Sequence, residues 1–139
     1  MMIVDASVMV KWFLKEELSE TAIVFSEQDH DLYAPFLAQY EVASSFSRAL
    51  RKKEIDVEGA EVCLHRWLHI LKTHVVKLLH DRQDIERGHH LAVKLHHATA
   101  DCIYLAMAER LGGTLVTADK VFIEKCTPDY QVMHLNGYR

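Results

Sequence analysis

The chain has 139 residues, 50% of them hydrophobic and 26% charged, with 16 Lys and Arg against 20 Asp and Glu. That apolar fraction, with a net charge of only −4, excludes a disordered chain and a non-specific nucleic-acid coat. The length suits a single domain over residues 1–139 that buries about two-thirds of its extended surface. No membrane span is expected, because the longest stretch free of charge and histidine, Leu32 to Tyr40, covers only about half of one. The N-terminus has no basic, signal-like segment. Cys63, Cys102 and Cys126 show no C-x-x-C spacing, which points to a reducing, cytoplasmic setting.

Met1 to Val4 is a short apolar run halted by Asp5 and reads as a buried strand. A helix is predicted over Ala6 to Leu14, then a charged turn, then a helix from Ser19 to about Phe25. Leu32 to Ala34 reads as a strand, and Pro35 suits the first turn of a helix running from about Phe36 to Lys53. Val57 to Lys72 carries Val62, Trp67, Leu68 and Leu71 at helical spacing. A strand over His74 to Leu79 follows, and Asp81 opens a helix to about His97. Thr99 is placed to cap a helix over Ala100 to Leu111, which Gly112-Gly113 stops. Thr114 to Thr117 is a strand, Asp119 to Lys125 a short helix, and Val132 to Leu135 a last strand. Short apolar strands alternating with helices predict an α/β fold whose parallel sheet is covered on both faces.

Four acids stand out against this frame. Asp5 ends the first strand, Asp119 lies just beyond Thr114 to Thr117, and Asp101 lies in the first turn of a helix. Glu41 sits mid-helix among Leu37, Ala38, Ser44 and Ser45, a small and apolar face that should bury it. Singly, Asp5 and Asp119 read equally well as helix N-caps, and Asp101 as an acid favoured by its helix dipole. Together they form a cluster that repulsion forbids without cations, since two carboxylates 5 Å apart repel by roughly 3 kcal/mol at an effective dielectric of about 20. Hard divalent ions with oxygen ligands relieve that repulsion.

Val4-Asp5-Ala6-Ser7-Val8 leading into Val10-Lys11-Trp12-Phe13, then Glu41-Val42, carries a family likeness. So do Ala98-Thr99-Ala100-Asp101-Cys102-Ile103-Tyr104-Leu105-Ala106 and Leu115-Val116-Thr117-Ala118-Asp119 followed by Phe122. In order and over essentially the whole chain, these resemble the PIN-domain ribonucleases, and within them the VapC-type toxins of toxin–antitoxin modules. The resemblance implies a three-layer α/β/α PIN-like fold with a central, mostly parallel sheet. It implies an endoribonuclease dependent on Mg²⁺ or Mn²⁺, with one or two ions. By the same resemblance Asp5 and Asp101 are the main metal ligands, and Glu41 and Asp119 complete the catalytic acids. Ser7 and Thr117 match hydroxyl positions that orient the carboxylates. The implied partners are an RNA substrate and a small cognate antitoxin protein. Cys102 after Asp101 and Lys120 after Asp119 depart mildly from the pattern, and Glu54 to Lys94 carries no diagnostic motif.

The ten histidines include His65 and His69 at helical spacing and the pairs His89-His90 and His96-His97. Without H-E-x-x-H they read as surface or interface residues rather than a zinc site. Arg48, two helical turns from Glu41, is the candidate substrate-binding cation, ahead of Lys11 and of Arg51, Lys52 and Lys53. Trp12, Phe46 and Trp67 read as core or dimer-interface residues, and apolar faces around Phe46 and Trp67 suggest a homodimer. No cysteine lies in the electropositive context that nucleophilic catalysis needs. An RNA-processing nuclease without a toxin role, and a non-catalytic PIN-fold scaffold, are the competing readings.

Overall fold

The computed structural model describes residues 1–28 and 30–137. Its strands are β1 (Met2–Val4), β2 (Leu32–Pro35), β3 (Val76–Leu79), β4 (Thr114–Thr117) and β5 (Val132–His134). They form one sheet in the order β3-β2-β1-β4-β5, and every pairing is parallel. In the centre Ile3 lies opposite Leu115 and Val4 opposite Val116, and all four side chains are fully buried. Consecutive buried residues on one strand require cover on both faces.

That cover comes from helices α1 (Ala6–Met9), α2 (Ser19–Ser26), α3 (Leu37–Arg51), α4 (Val57–Lys72), α5 (Arg82–Leu95), α6 (Thr99–Leu111) and α7 (Lys120–Cys126). The chain steps outward from β1 to β2 to β3, then crosses back to β4 and on to β5. Right-handed crossovers therefore place α1 to α4 on one face and α5 to α7 on the other, giving three α/β/α layers. The direction of winding reverses between β1 and β4.

Each long helix has a local cause. α3 buries Ala38, Val42, Ser45, Phe46 and Ala49, one stripe at helical period. Asp56 caps α4 by accepting from the Gly59 amide at 2.7 Å, and Asp81 caps α5 through the Gln83 amide at 2.9 Å. α6 ends at Gly112, whose φ of 67° is the left-handed conformation that suits glycine. α5 and α6 approach closely because Gly88 has no side chain: a Cβ there would lie 2.9 Å from Ile103 Cγ1 and 3.2 Å from its backbone. Arg110 also grips the buried Asp84 with two bonds of 2.8 Å, tying the same pair of helices together.

Several expectations are corrected. The first predicted helix splits, with α1 giving way to a 3₁₀ turn over Val10–Trp12. Pro35 is the last residue of β2, paired with Leu79, rather than the first turn of α3. Thr99 is the first residue of α6, and Ala98 occupies the cap without a side-chain bond. Of the two readings given for Phe46 and Trp67, the core one holds: they are 2% and 0% exposed within the chain, so neither side chain is itself free to meet a second copy. Trp67 instead donates its indole N–H to the Gln39 carbonyl. Among the described residues no helix is long and apolar enough to cross a membrane.

Candidate active site

Asp5 leaves β1 and Asp119 follows β4. These strands are neighbours, so both acids stand at the carboxyl edge of the sheet, at the crevice where the winding reverses and where open α/β sheets bind ligands. Glu41 reaches the crevice from α3 in one helical layer and Asp101 from α6 in the other.

Asp5 opens α1 but makes no side-chain cap bond there. Its Oδ2 accepts instead from Ser7 Oγ at 2.5 Å and from Thr117 Oγ1 at 2.8 Å. The two hydroxyls are themselves fixed, Ser7 Oγ by the Ala118 amide and Thr117 Oγ1 by the Asp119 amide, each at 3.1 Å. Burial holds the Asp5 carboxyl above its ordinary value; the Ser7 and Thr117 bonds pull it back and the charge of Asp101 raises it further.

Glu41 is half-buried, and its Oε1 accepts the Tyr104 hydroxyl at 2.7 Å. Burial again raises this carboxyl, the Tyr104 bond lowers it, and the charges of Asp5 and Asp101 add to the rise. Burial, with Asp5 and Glu41 nearby, pushes the Tyr104 hydroxyl far up, so it remains a proton donor. Asp101 Oδ2 lies 2.8 Å from His97 Nε2. Asp119 does cap a helix, its Oδ1 accepting from the Phe122 amide at 3.1 Å, while its Oδ2 is 4.0 Å from His97.

Asp5 is thus raised by burial and the charge of Asp101, and Glu41 by burial and the charges of Asp5 and Asp101. An all-oxygen set under mutual repulsion fits a hard divalent cation. The cysteines fit no catalytic role: all three are free and buried, and burial pushes the Cys102 and Cys126 thiols up to about 11.

Arg48 is exposed and lines a groove of about 370 Å³ with Ser7, Tyr40, Glu41, Ser44 and Ser45, so a positive charge shares that groove with one of the four acids, Glu41. Lys11 turns instead to Glu16 at 3.2 Å. A cleft of about 430 Å³ between α5 and α6 is lined by Asp84, Arg87, Glu109 and Arg110. Those charges are already spent on each other, with Arg87 2.9 Å from Glu109 and Arg110 2.8 Å from Asp84.

The PIN domain family model matches residues 2–127. The chain belongs to the PIN-domain family. It is 30% identical over 124 residues to "Ribonuclease VapC3" of Pyrobaculum aerophilum, covering 89% of this chain and 93% of that protein. The PIN fold is equally evident in three dimensions. The Pyrobaculum aerophilum protein PAE2754 superposes with a TM-score of 0.71 at 21% identity, over 97% of this chain and 89% of that one. A toxin–antitoxin complex from Klebsiella pneumoniae gives 0.69 at 18% identity, over 97% and 98%.

Two residues of this PIN domain escaped the sequence reading. Tyr104 lies one helical turn after Asp101 on the same face of α6, a spacing that carries a usable signal. His97 precedes Asp101 by four residues and is drawn from the set expected at the surface, yet its side chain is only 11% exposed.

Proposed function

We propose that this PIN domain is a Mg²⁺- or Mn²⁺-dependent endoribonuclease that hydrolyses RNA phosphodiester bonds, acting in the cytoplasm as the toxin of a toxin–antitoxin pair. The observation that carries the reading is the convergence of Asp5, Glu41, Asp101 and Asp119 at the winding reversal of the sheet, with Asp5 and Glu41 raised by burial and by their neighbours. The kinship with a protein named as a ribonuclease supports the chemistry. The fold shared with a chain of a toxin–antitoxin complex supports the biological role and a small antitoxin partner.

In this reading the four carboxylates would hold one or two ions, which would supply Lewis-acid stabilisation of the scissile phosphate and a more acidic attacking water. Ser7 and Thr117 keep Asp5 in one orientation by bonding the same oxygen, Oδ2. Tyr104 does the same for Glu41. Arg48 takes a phosphate along the groove and sets the RNA backbone relative to the acids. No histidine base is required. The homodimer stands as a proposal whose contact is not Phe46 or Trp67.

RNA cleavage with Mg²⁺ or Mn²⁺, with EDTA, and with Asp101→Asn tests the chemistry. Cleavage that survives both EDTA and the substitution would sink it. Inhibition by the product of a short reading frame immediately upstream tests the toxin role, and its absence favours an RNA-processing enzyme.

A further inference from the structure

His97 directly follows His96, which ends α5 in the left-handed conformation at φ 54°. Its ring stacks on Phe122, with centroids 4.5 Å apart and planes at 27°. The two ring nitrogens face different partners. Nδ1 is 3.1 Å from Lys125 Nζ, which also donates to the His96 carbonyl at 2.7 Å. Nε2 is 2.8 Å from Asp101 Oδ2 and 4.0 Å from Asp119 Oδ2.

An ammonium group has donors only, so Nδ1 must accept from Lys125. A neutral imidazole carries a single N–H, which therefore sits on Nε2 and is donated to Asp101. This bears on an arrangement that resembles a metal cluster. Ligand atoms of His97, Asp101 and Asp119 all lie within 4.8 Å of one another. With its proton on Nε2, the histidine has no lone pair to offer there, and the two acids remain as ligands.

We infer that His97, braced by Lys125 and Phe122, is a positioning residue of the acid site: it donates Nε2–H to Asp101 Oδ2 and leaves the other carboxylate oxygen to the cation. The inference rests on the metal-dependent reading above. It links three elements, the exit of α5, the first turn of α6 and the middle of α7, through one ring. Hydrogen-bond partners of ligating groups commonly govern metal affinity without touching the ion.

The test uses the full chain at one fixed pH and two readouts. The side-chain ¹⁵N spectrum of the metal-free protein is expected to show the Nε2–H tautomer of His97. Mn²⁺ affinity by electron paramagnetic resonance is then compared for wild type, His97→Leu and His97→Gln, with thermal unfolding as the check on folding. His97→Leu is expected to weaken Mn²⁺ binding about 10- to 100-fold, and His97→Gln, which retains an N–H donor, to recover most of the loss. An Nδ1–H tautomer, or wild-type affinity in His97→Leu, overturns this role alone. So does a loss in His97→Leu that is far larger for Ni²⁺ or Zn²⁺ than for Mn²⁺, since that is the mark of direct imidazole ligation. A wild type that binds no Mn²⁺ overturns the metal reading and this role together.

Discussion

The Tyr104 hydroxyl donates to Glu41 Oε1 across 2.7 Å, joining α6 in one helical layer to α3 in the other. The tyrosine is 1% exposed, so Tyr104→Phe keeps the ring in place and deletes only the bond. The bond favours ionised Glu41, and without it that carboxyl rises further. The variant is expected to lose about 1 kcal/mol of stability by denaturant titration. The acid limb of its cleavage profile is expected to move to higher pH, because Glu41 then keeps its proton longer. An unmoved acid limb would argue that Glu41 does not serve the reaction.

Asp5 is expected to destabilise the metal-free protein. Its folded carboxyl lies above the ordinary 3.8, so between those two values the native state holds a proton that the unfolded chain has released. Stability from this group therefore falls as pH rises through that window, and the penalty stays in full above it. Asp5→Asn removes the charge yet can still accept from Ser7 and Thr117. Its melting temperature in EDTA is expected to exceed that of wild type at about pH 7, by roughly 4 °C for each kcal/mol relieved, with the gap shrinking at about pH 4. Cleavage is expected to be lost in the same variant if Asp5 holds the ion. A lower melting temperature at neutral pH would contradict the account.

Arg48 lies exposed along the groove that leads to Glu41, outside the acid cluster. Arg48→Ala is expected to raise KM about 10-fold with kcat little changed, and to make the salt dependence of RNA binding shallower by about one phosphate contact. Binding isotherms at several salt concentrations measure the second effect. A fall confined to kcat would place Arg48 in the chemistry instead.

Gly88 permits the contact between α5 and α6, and its neighbour Ile103 lies two residues beyond Asp101. Gly88→Ala brings a methyl against Ile103 backbone, an overpacking cost of about 1–3 kcal/mol that a helix-propensity gain of about 1 kcal/mol only partly offsets. A net loss near 1 kcal/mol in urea unfolding is expected, together with a higher Mn²⁺ requirement for cleavage as α6 shifts. Stabilisation would show that α6 yields without cost.

The strand positions and the order of the four acids were legible because each depends on chain-local facts, a short apolar run and the acid that ends it. Val57–Lys72 was legible from the helical spacing of Val62, Trp67, Leu68 and Leu71, and Thr114–Thr117 from the Gly112-Gly113 stop before it. Pro35 was misplaced because proline suits a helix start and the last position of a strand alike, and the pairing with Leu79 decided between them. Periodicity marked Phe46 and Trp67 as apolar, but it does not say whether the same chain or a second copy covers them. His97 and Tyr104 were missed for a related reason. Their spacing to Asp101 carries a local signal, but their other partners, Glu41, Lys125 and Phe122, lie up to 63 residues away, where no local pattern reaches.

Because Glu41 and Asp101 belong to helical layers on opposite sides of the sheet, a cation held between them would act as a staple across the molecule. Its binding energy would be folding energy as well, adding RT ln(1 + [ion]/Kd), about 2.7 kcal/mol at a hundredfold excess over Kd. The resistance of this protein to heat and proteolysis would then follow the supply of divalent ions, and chelation would loosen the whole fold rather than only silence one pocket.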